Sequence, residues 1–327
     1  MPTPQLSIVI PTWNGRELLE RFLPSVVAAL RPERELIISD DGSRDGTCAW
    51  LAEHYPMARI VRSVHNRGFA PAANAGVEAA HAEVVVLLNN DVELAPGCLD
   101  HLTPWFQRPR LFGVTLRAYD LPERGIDGRG TPRFATGGKL GHFRRGFWEA
   151  WRNYEQPAGE SFMLVGGFCA FRRRVFLDLG GFAPIFAPYY YEDLDLSYRA
   201  RKRGWELAYE PAAELFHAPS SSVRRHRGAF RRQVTIERNR LLFHWRNLDR
   251  PRLVRHLAWA HLLLLQMAWK GNWAYYPGYV AALARAGQVL SFRRAERPHW
   301  HRSDAELELR NQKTLRDAVA SPPLGSL

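Results

Sequence analysis

The sequence predicts an α/β fold with a mainly parallel central sheet and a helical C-terminal extension, and three observations carry that reading. Four short runs, Leu6 to Ile10, Leu36 to Ser39, Arg59 to Arg62 and Val84 to Leu88, have the length and residue types of strands. The segments between them carry helical signals, so strands and helices alternate as in βαβ units, whose parallel sheet is covered on both faces. Residues 223–317 are basic and aromatic-rich and read as helical.

The first strand stops at Pro11, and Leu18, Leu19, Phe22, Leu23, Val26, Val27 and Leu30 then recur at three- and four-residue steps along one helical face. After the second strand, the turn Asp41-Gly42-Ser43 precedes a helix from about Thr47 to His54. Pro71 opens a helix of small residues through Ala80, and Val84 to Leu88 is almost unbroken in its apolar character. Residues 117–161, rich in Gly, Pro and Arg, are expected to form a long loop or irregular insertion. Order returns at Phe162 to Arg172 and Val175 to Leu179, and a helix begins near Glu192 and ends in the basic run before Gly204. Trp205 to Tyr209 completes the strand set, and residues 318–327 are expected to be a disordered tail.

Composition narrows the class. With 327 residues, 46% of them hydrophobic and 24% charged, the chain is neither disordered, collagen-like nor a disulfide scaffold. Cys48, Cys98 and Cys169 lack the spacing of a zinc site or a disulfide framework. The N-terminus has no signal-peptide pattern and no run of 18 apolar residues occurs, so a cytoplasmic location is expected. The net charge of +12 is uneven: residues 220–327 hold 20 basic against 7 acidic side chains, +13, which leaves residues 1–219 at −1. Arg outnumbers Lys 41 to 4, so arginine alone is weak evidence for any anionic partner.

In open parallel sheets the ligand crevice lies beyond the carboxyl ends of the strands. Each predicted strand ends in a polar or glycine-bearing segment: Pro11-Thr12-Trp13-Asn14, Asp40-Asp41-Gly42-Ser43, His65-Asn66-Arg67-Gly68 and Asn89-Asn90-Asp91. These four segments are expected to converge. A carboxylate directly after a buried strand, with neighbouring amides and diphosphate oxygens, offers the hard donors that suit Mg2+ or Mn2+.

Taken in order, Ser7-Ile-Val-Ile-Pro-Thr-Trp-Asn14, Asp40-Asp-Gly-Ser-Arg-Asp-Gly-Thr47, Asn66-Arg-Gly-Phe69 with Asn74, Leu88-Asn-Asn-Asp-Val92 and Glu192-Asp-Leu-Asp-Leu196 resemble glycosyltransferase family 2, most of all its rhamnosyltransferase-type members. The resemblance covers roughly residues 5–245 and implies a GT-A (Rossmann-like) fold with inverting transfer from a nucleotide-diphosphate sugar. It places the catalytic domain at 1–222, with a nucleotide-sugar half at 1–115 and an acceptor half at 116–222. Carried over, Pro11, Thr12 and Asn14 line the nucleoside pocket, Asp41 or Asp40 binds the base, and Gly68 and Phe69 pass beneath the nucleotide with Asn74 nearby. Asn89, Asn90 and Asp91 match the family's D-x-D metal motif with Asn in its first position, so metal affinity rests mostly on Asp91. His217 matches a metal- or diphosphate-contacting histidine.

Asp193 corresponds to the family's general base and Glu192 to a group that hydrogen-bonds the acceptor. A base near the attacking hydroxyl is what inversion requires. The implied partners are a nucleotide-diphosphate sugar, with thymidine-diphosphate rhamnose preferred as donor, and a glycan or polyprenyl-diphosphate-linked acceptor.

Leu253 to Trp269 is too short and too polar to span a bilayer. It reads equally as an interfacial helix on an anionic membrane or as a surface buried against the catalytic domain or another subunit. A peripheral location on the inner face of the cell membrane is therefore expected. No nucleic-acid motif accompanies the basic region, so nucleic acid is not an expected partner. The alternative is a non-catalytic nucleotide-sugar- or nucleic-acid-binding protein, and the sequence leaves oligomeric state open.

Overall fold

A computed structural model describes residues 5–121, 133–155, 157–218, 228–267 and 269–320. The expected alternation is present: β1 (Leu6–Thr12), α1 (Arg16–Ala28), β2 (Arg34–Asp40), α2 (Thr47–His54), β3 (Arg59–Arg62), α3 (Phe69–Ala79) and β4 (Val84–Leu88). These strands pair in parallel in the order β3-β2-β1-β4. After β5 (Val92–Leu94) come β6 (Leu111–Asp120), β7 (Phe134–Thr136), β8 (Gly138–Arg144), β9 (Phe147–Tyr154), β10 (Gly159–Glu160) and β11 (Phe168–Arg172). The chain continues through α4 (Arg173–Asp178), α5 (Glu192–Lys202) and β12 (Glu206–His217). β11 runs antiparallel between β4 and β6, which makes the sheet mixed on its acceptor side.

Period-two alternation sorts the strands onto two cores. Ile8, Ile10, Ile38, Val86 and Leu88 face α1 and α2, while Val9, Ile37, Val85 and Leu87 face α3 and α4. A third core joins β8 and β9 to α5 and to the C-terminal helices α6 (Ala229–Asn247), α7 (Arg250–Gln266), α8 (Tyr275–Leu283), α9 (Ala286–Glu296) and α10 (Asp304–Ala320). Buried ion pairs tie these layers together. Asp195 on α5 pairs with Arg199 at 2.7 Å and with Arg246 on α6 at 2.9 Å. Lys202 and the Tyr198 hydroxyl both meet Asp304.

Two expectations are corrected. Residues 133–160 are a set of strands, among them the β8–β9 hairpin, and not an irregular loop. Their glycines mark close approaches: a Cβ on Gly141 would fall 2.6 Å from the Phe162 ring. Residues 318–320, expected to open a disordered tail, belong to α10, which continues through Ala320, and residues 321–327 lie outside the described residues. Leu253 to Gln266 lies within α7, whose His256 and Ala260 are buried while Val254, Leu257, Leu262 and Leu265 stay exposed. One face of the segment is thus covered by this chain and another is not.

Candidate active site

The nucleotide side is built at the ends of β1 and β2. Pro11 and Thr12 close β1 and are buried. Asp41, 2% exposed, accepts the N–H groups of Arg67 at 2.9 Å and Gly68 at 2.7 Å through Oδ2, so it fastens the segment after β3 to β2. Its Oδ1 is buried without a hydrogen-bond partner among the described residues. Asp40 Oδ2 accepts the Ser43 N–H at 3.0 Å. Asn14, at φ +46°, donates its N–H to Ser43 Oγ and accepts the Arg44 N–H through Oδ1. Asp40 Oδ1 is buried without a hydrogen-bond partner among the described residues as well, so both carboxylates keep an acceptor for an incoming donor such as a base N–H.

The polar end of β4 meets the end of β12. Asn90 Nδ2 donates to Thr12 Oγ1 at 2.8 Å, and the Asn89 N–H donates to the Gly167 carbonyl at 2.9 Å. Gly167 holds φ +96°, and a Cβ there would sit 2.2 Å from Asn89 Oδ1, so only glycine lets the two segments close. Asp91 is 1% exposed, and neither carboxylate oxygen has a hydrogen-bond partner among the described residues. His217 Nε2 lies 3.4 Å from Asp91 Oδ1. A buried carboxylate with no donors is costly unless a cation faces it. The pair Asp91 and His217 therefore fits a divalent ion, with an oxygen and an imidazole donor acceptable to Mn2+. No cluster of three or more such ligands occurs among the described residues.

Glu192 and Asp193 open α5 after a distorted turn. Tyr190 and Tyr191 take φ +70° and +76°, a region costly for bulky side chains, and such outliers gather at functional sites. Asn239 on α6 holds this turn: its Nδ2 lies 2.7 Å from the Phe186 carbonyl and 2.9 Å from those of Tyr189 and Tyr190. Arg238 adds a bond to the Ala187 carbonyl at 2.6 Å. The same turn touches the nucleotide side, because a Cβ on Gly68, at φ +98°, would meet the Pro188 carbonyl at 3.1 Å.

Asp193, half-buried, accepts the Gly166 N–H at 3.1 Å and the Leu194 N–H at 2.8 Å. Gly166 precedes Gly167, which packs against Asn89, so Asp193 and the Asn89–Asp91 segment share one glycine pair. Burial, and then the negative charge of Asp193, push Glu192 up to about 8, while burial raises Asp193 as well. The two backbone N–H groups on Asp193 oppose its rise, which favours Glu192 as the protonated member of the pair. Lys139 on β8 is drawn down to about 8 by burial, against the opposing pull of Asp193, and donates to Asn153 Oδ1 at 2.6 Å.

Asn74 stands apart from the nucleotide residues in what it touches. Its amide both donates to and accepts from the Phe182 backbone, at 2.9 Å each way, so it fastens the Gly181-Phe182 turn to α3. Asn239, Arg238 and Lys139 are not legible as site residues in the sequence. The first two sit inside an arginine-rich helix, and the third lies in the stretch that reads as a loop. Arg172 and Arg173, which could have met phosphate, are spent on backbone carbonyls.

The sequence profile of Glycosyl transferase family 2 matches residues 7–180. The chain belongs to glycosyl transferase family 2. Among similar proteins, N-acetylglucosaminyl-diphospho-decaprenol L-rhamnosyltransferase of Mycobacterium tuberculosis is 31% identical over 246 residues, covering 68% of this chain and 79% of that one. O-antigen biosynthesis protein RfbC of Myxococcus xanthus is 30% identical over 237 residues, 68% of this chain and 18% of its own length. Solved structures show the fold: GalNAc-T7 with UDP, GalNAc and Mn2+ has a TM-score of 0.64 at 16% identity, covering 99% of this chain and 59% of that one. The mannosyltransferase PcManGT from Pyrobaculum calidifontis, in complex with GDP-Man and Mn2+, has a TM-score of 0.53 at 19% identity, covering 99% and 88%. The family 2 chain thus has the GT-A fold and is similar to a rhamnosyltransferase-type member.

Proposed function

We propose that this family 2 glycosyltransferase moves a sugar, with inversion, from a nucleotide-diphosphate donor to a lipid-linked or glycan acceptor in cell-surface polysaccharide synthesis. Rhamnose from thymidine diphosphate is the donor sugar we favour, in line with the M. tuberculosis relative. The observation that carries the reading is the carboxyl pair Glu192 and Asp193, with Asp193 held on the Gly166 N–H and the adjoining Gly167 packed against Asn89, two residues before Asp91.

The chain's residues divide the work. Asp41 and the β1 end receive the nucleoside, and the Gly68-Phe69 segment supports it. Asp91 and His217 hold a Mg2+ or Mn2+ ion together with the donor's diphosphate. Such an ion, once bound, neutralises the charge that develops on the departing diphosphate. Protonated Glu192 donates a hydrogen bond to the acceptor and orients its hydroxyl. Asp193 takes the hydroxyl proton as the oxygen bonds to the anomeric carbon, and the bond from that carbon to the phosphate oxygen breaks, its electron pair leaving with the nucleoside diphosphate.

Asp193→Asn is expected to abolish transfer while nucleoside diphosphate binding persists. Turnover within tenfold of the native enzyme would remove Asp193 from the base role. No described helix is long and apolar enough to cross a membrane. Work on a lipid-linked acceptor would therefore proceed at the bilayer surface, on its inner face in this reading, through the uncovered face of α7.

A further inference from the structure

Between the β8–β9 turn and the helices α6 and α7 lies a cavity of about 490 Å³ for which the reaction as described has no use. That is the size of an ordinary small-ligand site. Its lining joins two chemistries. Arg144, Arg145, Arg240 and Lys270 bring four cations against one carboxylate, Glu149, which is already paired with His142 at 3.0 Å. Trp259 and Leu263 add an apolar wall.

Three of the cations are not neutralised: Arg144, Arg145 and Lys270 have no ion pair among the described residues. Arg240 pairs with Glu237 at 3.0 Å, yet its buried Nε has no hydrogen-bond partner among those residues. Gathered cations repel one another and favour an anionic occupant, and arginine forks match phosphate oxygens. Beside the cavity, Leu262 and Leu265 on α7, each next in sequence to the lining residue Leu263 or Gln266, are 47% and 74% exposed, and Trp269, which precedes the lining Lys270, is 95% exposed. A free nucleotide or a soluble glycan has no use for that apolar track. Tyr191 also lines the cavity, and Glu192 and Asp193 follow it directly in the chain.

We propose that this cavity holds the diphosphate of a prenyl-diphosphate-linked acceptor, its first isoprene units on Trp259 and Leu263 and the remaining chain crossing Leu262, Leu265 and Trp269 into a bilayer. That the ligand is the acceptor rests on the glycosyltransferase reading. The preference for a lipid diphosphate rests on the cavity alone. The sugar carried on the diphosphate would then extend past Tyr191 toward the carboxylate pair.

The test uses the full chain and its tryptophan fluorescence, since Trp259 lines the cavity. Geranylgeranyl diphosphate, geranylgeraniol and inorganic pyrophosphate are titrated separately. The diphosphate lipid is expected to bind at least tenfold more tightly than either the alcohol or pyrophosphate. The double substitution Arg144→Ala with Lys270→Ala should weaken it at least tenfold, with Tm and the Kd for a nucleoside diphosphate unchanged. Leu265→Asp should weaken the lipid and leave pyrophosphate binding as it was. Equal affinity for pyrophosphate and the lipid diphosphate would overturn the proposal. So would an unaltered Kd in the double variant, or an equal loss on Arg294→Ala, a change of exposed charge outside the cavity. Failure of the enzyme reading would show elsewhere, as active Asp193→Asn or absent nucleoside diphosphate binding.

Discussion

Replacing Asn239 by alanine tests whether the distorted turn before Glu192 is held in place by α6. Two successive residues in the left-handed region, Tyr190 and Tyr191, cost about 1–2 kcal/mol each, roughly 2–4 kcal/mol together. The Asn239 amide opposes that cost with its contacts to three carbonyls, at 2.7, 2.9 and 2.9 Å. One NH2 group carries two hydrogens, so the equivalent of two good bonds is shared, about 1 kcal/mol each net, with a further ~1–3 kcal/mol lost where a buried carbonyl is orphaned. The deletion thus removes about as much as the turn stores, and the turn relaxes toward ordinary φ values.

Glu192 and Asp193 would move with the relaxed turn. A loss of ~2 kcal/mol in transition-state positioning is about thirtyfold in kcat. The assay is steady-state transfer alongside nucleoside diphosphate binding. The expected result is a fall in kcat of ten- to a hundredfold with nucleotide affinity within twofold of native. An Asn239→Ala protein with lowered Tm and native kcat would refute the claim that this amide positions the base, leaving it a purely stabilising contact.

Three other perturbations read different parts of the molecule. Because Glu192 must stay protonated and lies at about 8, kcat should fall about tenfold per pH unit above that value, and Glu192→Gln, slower at its plateau, should lose this alkaline limb; superimposable alkaline limbs would count against it. Neutral His244 accepts the Trp148 N–H at 2.8 Å and stacks on His256, and burial holds both imidazoles low, His256 at about 4. Their unfolded forms bind protons from about pH 6.5 downward, so stability is full above that pH and drains away as pH falls, by about 2 kcal/mol at pH 5 for His256 alone; denaturant midpoints equal at pH 7 and pH 5 would exclude this. Asp195→Asn leaves Arg199 and Arg246 as buried cations without their common carboxylate, at a cost of about 3–5 kcal/mol and a Tm fall on the order of 10 °C by calorimetry.

The nucleotide half is legible in the sequence because each of its parts is local. The strand β4 is an unbroken apolar run, and the polar residues that follow it, Asn89 to Asp91, stand at its end whatever the rest of the chain does. The acceptor half is different. Gly138 and Gly141 look like turn residues, yet they are glycines because the rings of Tyr154 and Phe162 press against them. Steric exclusion between distant segments leaves no periodic trace. The same holds for Asn239, whose partners lie 49 to 53 residues away in the chain. His217 and Asp91 are further apart still in sequence, and it is the pairing of β12 with β5, Val92 opposite His217, that joins them. That contact follows from sheet order, which spacing along the chain does not encode.

The uneven charge takes on a different meaning once its members are placed. A +13 region suggests a uniform basic surface, but several of its arginines have their donors engaged within the chain. Arg246 is held by Asp195, Arg238 by the carbonyl of Ala187, Arg252 by Glu308 and Arg293 by the Trp245 carbonyl. These arginines build the turn and fasten the helices that shape the acceptor side. Net charge counted along the sequence cannot separate them from Lys270, whose charge remains uncompensated, or from Arg240, which pairs with Glu237 yet keeps one buried donor free. Among the remaining cations, a few gather around one cavity beside an apolar track. A diffuse basic surface would bind any polyanion with a steep salt dependence. A compact cation cluster backed by Trp259 and Leu263 should instead keep much of its affinity in salt, because the apolar contribution is not screened.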